Sequence, residues 1–264
     1  MSRRQPPARR RPTARRARKR RRATAAISDR GALARPLDTL VFLLPLILFY
    51  QVSLIAAPPA RSLGGPDQVV AIGLLKVFFQ LFGTTAVIMP GLAVVVILLC
   101  THVASREPWR VNRKSVAWMY LESILLAIPL LLLNNLWQAS LRVIAARKVD
   151  PHPWLTEVTL SIGAGIYEEL VFRLVLISVL VIIGADLLRL PHAATTLAAV
   201  LIAAGVFAAH HHQPVGSEEF TLARFLFRTM AGIYLGAVFV FRGYGPAAGL
   251  HIAYNLLVVA MAVK

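Results

Sequence analysis

The chain has 264 residues, 57% of them apolar and only 16% charged, too few charges to clothe a water-soluble globule of this size. Its net charge of +17 is concentrated in residues 1–36, which carry fourteen Arg or Lys against the single acid Asp29; the remaining fifteen basic and eleven acidic residues are an ordinary balance. One cysteine, Cys100, excludes a disulfide framework or a zinc finger and reads as a small buried apolar residue.

Residues 1–36 are rich in Arg, Pro and Ala, repel themselves and lack hydrophobic periodicity. They predict a disordered tail that fixes topology and touches anionic lipids; no nucleic-acid partner is expected. The twin arginines Arg3-Arg4 have no adjoining apolar region, and the first apolar stretch, far behind the tail, reads as a retained anchor rather than a cleaved signal.

Apolar runs of membrane length then recur. They predict an all-α fold, a polytopic transmembrane helical bundle of about seven to eight spans, because backbone in lipid must satisfy its own hydrogen bonds. The spans are placed at about Thr39–Ala57, Val87–Val103, Trp118–Trp137, Leu155–Ile183, Ala194–His212, Phe225–Phe241 and Pro246–Val263. Val69–Phe82, interrupted by Lys76 and Gln80, reads as an interfacial helix or an extension of the second span. The organisation is a tail at 1–36, N-terminal transmembrane helices at 37–145 and a second transmembrane region at 155–263.

The loop Ala104–Ser115 holds Arg106, Arg110, Arg113 and Lys114 against Glu107, which puts it and the N-terminus in the cytoplasm. Trp118 and Trp137 bracket the third span at about 28 Å, an aromatic belt at each interface.

The fourth segment breaks its own apolarity with Glu168, Glu169 and Arg173. An ionised group at the bilayer centre costs about 2.5–3.5 kcal/mol on insertion scales, so three within six residues need compensation or a purpose. Glu169 and Arg173, at i and i+4, share a helical face and pair. Glu168 points about 100° away without a sequence-local cation, a carboxylate suited to take a proton from water or to bridge helices in a structural ion cluster.

Phe207 and His211 share a face at the end of the next run, with His210 and His212 on either side. The three histidines suit a catalytic imidazole, an interfacial cluster or an adventitious metal site. His251 and Asn255, again i and i+4, can donate to a developing oxyanion or act as polar glue between helices. Asn134-Asn135 is a rival polar pair that reads as structural, and Gly163, Gly165, Gly232 and Gly236 suit close helix packing around the motifs.

In order along the chain, Glu168-Glu169-x-x-x-Arg173, Phe207-x-x-x-His211 and His251-x-x-x-Asn255 resemble the CPBP family of CAAX prenyl endopeptidases and bacteriocin-processing enzymes, also called Abi proteins, over about Leu155–Val263. The resemblance implies an intramembrane endopeptidase that cleaves a membrane-embedded or lipidated peptide or protein in a bacterial plasma membrane. It assigns Glu168 and His211 to water activation and His251 and Asn255 to the oxyanion, with Glu169, Arg173, Phe207 and His210 in support. No cofactor is expected; the alternative is Zn2+ held by Glu168, His211 and His251. Two rival readings are a non-catalytic scaffold or bacteriocin-immunity-type binding protein on the same fold, and an ion or proton transporter. A transporter would show inverted repeats or paired broken helices, and no convincing repeat is present, although Pro90-Gly91 and Pro129 interrupt earlier spans.

Overall fold

The structure, a computed structural model, describes residues 33–56, 89–141, 154–216 and 218–262. The tail up to residue 32, the Val69–Phe82 stretch and the first two residues of the span placed at Val87–Val103 lie outside the described residues. Among those described there are seven helices and no strand: α1 Pro36–Ala56, α2 Met89–Ser105, α3 Arg113–Leu141, α4 Trp154–Leu187, α5 His192–Ala209, α6 Leu222–Arg242 and α7 Tyr244–Ala262. All but the shorter α2 are long and apolar enough to cross a membrane. Each matches a predicted span, and the chain is an integral membrane protein.

Large apolar side chains turned outward, such as Leu48 and Ile55 on α1 and Leu132 and Leu136 on α3, give the bundle the lipid-facing surface that a soluble fold avoids. The largest core cluster joins α1, α2, α4 and α7 through residues such as Phe42, Tyr50, Val94, Ile166 and Ile252. A second joins α3, α6 and α7 through Ala127, Leu235 and Leu250. A third packs Ile177 of α4 against Ala199, Val200 and Ala203 of α5.

Side chains at the helix ends tie one end of the bundle together. Asp38, in the first turn of α1, accepts the Asn112 N–H at 2.8 Å. Arg35 pairs with Glu107 and donates to the Pro108 carbonyl at 2.9 Å, and the Ala34 N–H reaches the Arg242 carbonyl at 2.9 Å. The start of α1, the α2–α3 loop and the end of α6 are therefore neighbours. Thr221 caps α6, its hydroxyl accepting the Arg224 N–H at 3.3 Å. Gly243 ends α6 at φ 91°, a conformation that glycine adopts without a Cβ penalty, and α7 starts at the next residue.

The fourth helix departs from a regular span. After Glu168 its backbone widens into π geometry over Glu169–Ile177, returns to α for Ser178–Val181 and widens again over Ile182–Leu187. With 34 residues it extends roughly 50 Å at the α-helical rise, well beyond the hydrocarbon thickness of about 30 Å. That length settles a problem of reach, since a fifth and a seventh span placed as predicted hold His211 and His251 near opposite faces. Sequence alone offers two remedies, a fifth helix that runs past His211 or a short or tilted sixth segment. The structure shows that α5 stops at Ala209 and that α6 has 21 residues. The overlong α4 instead lets α5 start far along the bundle and return to the level of Glu168. His251 follows Leu250, which packs with Ala127, midway between Trp118 and Trp137.

Candidate active site

Glu168 and Glu169 stand where α4 changes from α to π geometry, a local widening that concentrates at functional sites. Glu169 is fully buried, and its Oε1 takes two partners: Arg173 Nη1 at 3.0 Å and His251 Nδ1 at 2.8 Å. The i, i+4 pairing expected from sequence is thus present, with an imidazole from α7 added to it. The Arg173 guanidinium lies 4.2 Å above the centroid of the Phe207 ring, with Nη2 3.5 Å from the Gly232 carbonyl. Phe207 is therefore a π floor for the buried cation.

The end of α5 shapes the other half of the site. The last carbonyls of a helix lack their in-helix N–H partners, and here that of Phe207 accepts hydrogen bonds from two side chains, the Nδ1–H of His210 and that of His211, the latter at 2.8 Å. Donation from Nδ1 leaves Nε2 of each neutral ring as a lone pair. Those nitrogens face Glu168: His210 Nε2 lies 3.8 Å from Oε1 and His211 Nε2 lies 3.9 Å from Oε2. His251 Nε2 is 3.9 Å from the same Oε2. Glu168, without a cation near it in sequence, is ringed in space by three imidazoles.

The fold thus brings together Glu168, Glu169, Arg173, Phe207, His210, His211 and His251. Asn255 stands one turn further along α7, half-buried. His212 turns away from the carboxylates, its ring against Phe220 at 5.2 Å between centroids. His210 contacts Glu168 as closely as His211 does, which the Phe207-x-x-x-His211 spacing does not indicate.

The donor set is chemically able to hold a metal ion. Atoms of Glu168, His210 and His211 all lie within 4.8 Å of one another, a carboxylate with two imidazoles oriented from behind by a carbonyl. His210 joins Glu168 and His211 in this group, while His251, named in the zinc set read from sequence, reaches Glu168 Oε2 with its Nε2 at 3.9 Å.

Three residues that sequence reasoning passes over join the periphery. Glu218, in the turn after α5, pairs with Arg228 of α6. Their separation of ten residues across a turn matches no helical or strand period, so no pattern marks them. Tyr244 donates its hydroxyl to the Ile166 carbonyl at 2.9 Å and steadies α4 two residues before Glu168.

No curated protein and no solved structure matches the chain. Residues 150–257 match the family model described as type II CAAX prenyl endopeptidase Rce1-like, a stretch that contains every site residue from Glu168 to Asn255, so this part of the chain is similar to that family.

Proposed function

We propose that the chain is an intramembrane endopeptidase that hydrolyses a peptide bond of a membrane-associated or lipidated protein or peptide, using Glu168 with His211 to activate water. One observation carries the reading: the imidazole nitrogens of His210, His211 and His251 converge on the Glu168 carboxylate at 3.8–3.9 Å. That spacing is too long for direct hydrogen bonds and suits one bridging water at ordinary hydrogen-bond distance from each side.

Glu168 takes a proton from this water as its oxygen attacks the scissile carbonyl carbon. The carbonyl oxygen becomes an oxyanion and accepts hydrogen bonds from His251 Nε2–H and the Asn255 carboxamide. Collapse of the tetrahedral intermediate breaks the C–N bond, and the proton held by Glu168 passes, with help from His211, to the leaving amine. His251 can serve both neighbours only as an imidazolium, giving Nδ1–H to Glu169 and Nε2–H to the oxyanion. Two carboxylates against the single guanidinium of Arg173 leave one negative charge for it to offset.

The cluster of Glu168, His210 and His211 favours a second reading, in which a zinc ion held by these three supplies Lewis acidity and an acidified water.

Terminal-peptide profiling of membranes from native host cells tests both. Wild-type chain and Glu168→Gln are expressed at equal abundance, and new peptide ends are expected with wild type alone. Identical profiles overturn the protease reading in favour of a non-catalytic binding scaffold. Under the metal-independent mechanism the ends persist when membranes are treated with 1,10-phenanthroline; loss that added zinc restores assigns water activation to the metal.

A further inference from the structure

The turn that carries His210 and His211 is closed on itself. The Glu218 N–H donates to the His211 carbonyl at 3.2 Å, the Gln213 N–H to the Glu218 carbonyl at 2.9 Å and the Gly216 N–H to the His212 carbonyl at 2.8 Å. A Cβ at Gly216 would stand 2.2 Å from the His211 carbonyl carbon and oxygen, so the returning chain lies directly against the backbone of that histidine. α5 stops at Ala209, so the Phe207 carbonyl at its end orients the two rings while this turn carries the backbone of His211 onward.

The side chain of Glu218 leaves the closed turn to pair with Arg228. Arg228 lies one helical turn before Gly232, which is itself anchored to the site. The Gly232 carbonyl faces Arg173 Nη2, and a Cβ there would meet Ala204 at 3.0 Å and the Phe207 ring at 3.2 Å. The Glu218–Arg228 pair therefore ties the histidine-bearing turn to the part of α6 in register with the buried carboxylates. Burial alone would raise the Glu218 carboxyl, but facing Arg228 holds it below its ordinary value, so the pair stays ionised near neutrality.

We propose that Glu218 and Arg228 form a clasp that positions His210 and His211 against Glu168, which makes them positioning residues of the proposed hydrolysis; this rests on the protease reading above. Both side chains are about a quarter exposed, and ion pairs of that kind contribute about 0–1 kcal/mol to stability. The value of the pair lies in geometry, since misplacing a reacting group by about 1 Å can cost about a hundredfold in rate.

The test uses the full chain, purified in detergent, and the same chain in host membranes. Glu218→Gln, Arg228→Gln, Arg228→Lys, the single reversals Glu218→Arg and Arg228→Glu, and their double reversal are compared with wild type and Glu168→Gln. Hydrogen–deuterium exchange is read over residues 210–220, and Glu168-dependent peptide ends are counted by terminal profiling. The single neutral and reversed variants are expected to raise exchange at least tenfold in 210–220 alone and to cut the yield of ends about tenfold or more, with the thermal midpoint little changed. Arg228→Lys and the double reversal are expected to recover both readings to within a few-fold. Glu168→Gln removes the ends and leaves exchange in 210–220 as in wild type. Unchanged exchange and yield in the single variants, or a double reversal that rescues neither, overturns the clasp. Should wild type give no Glu168-dependent ends, the protease reading falls, and wild-type exchange in the single variants then overturns the clasp independently.

Discussion

Arg173 has the most demanding position of any single residue in the chain. It is 1% exposed, its carboxylate partner is 0% exposed, and the pair sits in a helix that crosses the membrane. Removing one partner of such a pair leaves a buried charge uncompensated, which costs about 3–5 kcal/mol. Arg173→Leu is expected to lower the thermal midpoint of the purified protein sharply, whereas Glu168→Gln, with no guanidinium to strand, lowers it far less. Equal melting of the two variants in a fluorescence thermal scan would contradict this division between the carboxylates. The Glu169–Arg173 pairing was legible in the sequence because i, i+4 contacts are local. The gathering of His211 and His251 at Glu168 was implied only by the family resemblance, since no spacing rule aims side chains of α5 and α7 at a point on α4. Nor does spacing separate His210 from His211. Both reach the carboxylate because one carbonyl at a helix end holds both rings, a detail of cap geometry.

Seven apolar segments were readable from composition and run length, and the helices fall on them with ends shifted by a few residues. What escaped was the π widening of α4, because a π-widened helix has the same apolar composition as a regular one. Close packing between α4 and α7 depends on Gly165. A Cβ there would lie 2.3 Å from Ile252 Cγ1 and 2.8 Å from the Ile252 backbone nitrogen. Backbone cannot step aside as a side chain can, so Gly165→Ala must move α7 by several tenths of an ångström. Ile252 adjoins His251, and the shift carries that imidazole away from Glu168 and Glu169. The expected result is a loss of about 1–3 kcal/mol of stability with at least a tenfold fall in Glu168-dependent peptide ends. Gly205→Ala, which meets nothing within 4 Å, is the control and is expected to match wild type in both melting and product yield.

For the molecule as a whole, the contacts of Arg35, Asp38 and Ala34 put the α2–α3 loop and the end of α6 beside the start of α1. The turn before α6 lies toward the other end, where Phe227 meets Trp137 at 6.4 Å between ring centroids. In a Cys100→Ala background, Arg110→Cys and Glu219→Cys are therefore expected to react with a membrane-impermeant maleimide from opposite sides of sealed vesicles. Reaction from one side would refute this threading. The Phe207 carbonyl has a consequence at the same scale. By engaging the back nitrogen of both histidines, it closes the route by which an imidazole usually relays a proton through itself. In the proposed hydrolysis each of these two rings therefore takes up and returns a proton at the same edge, the one turned to Glu168.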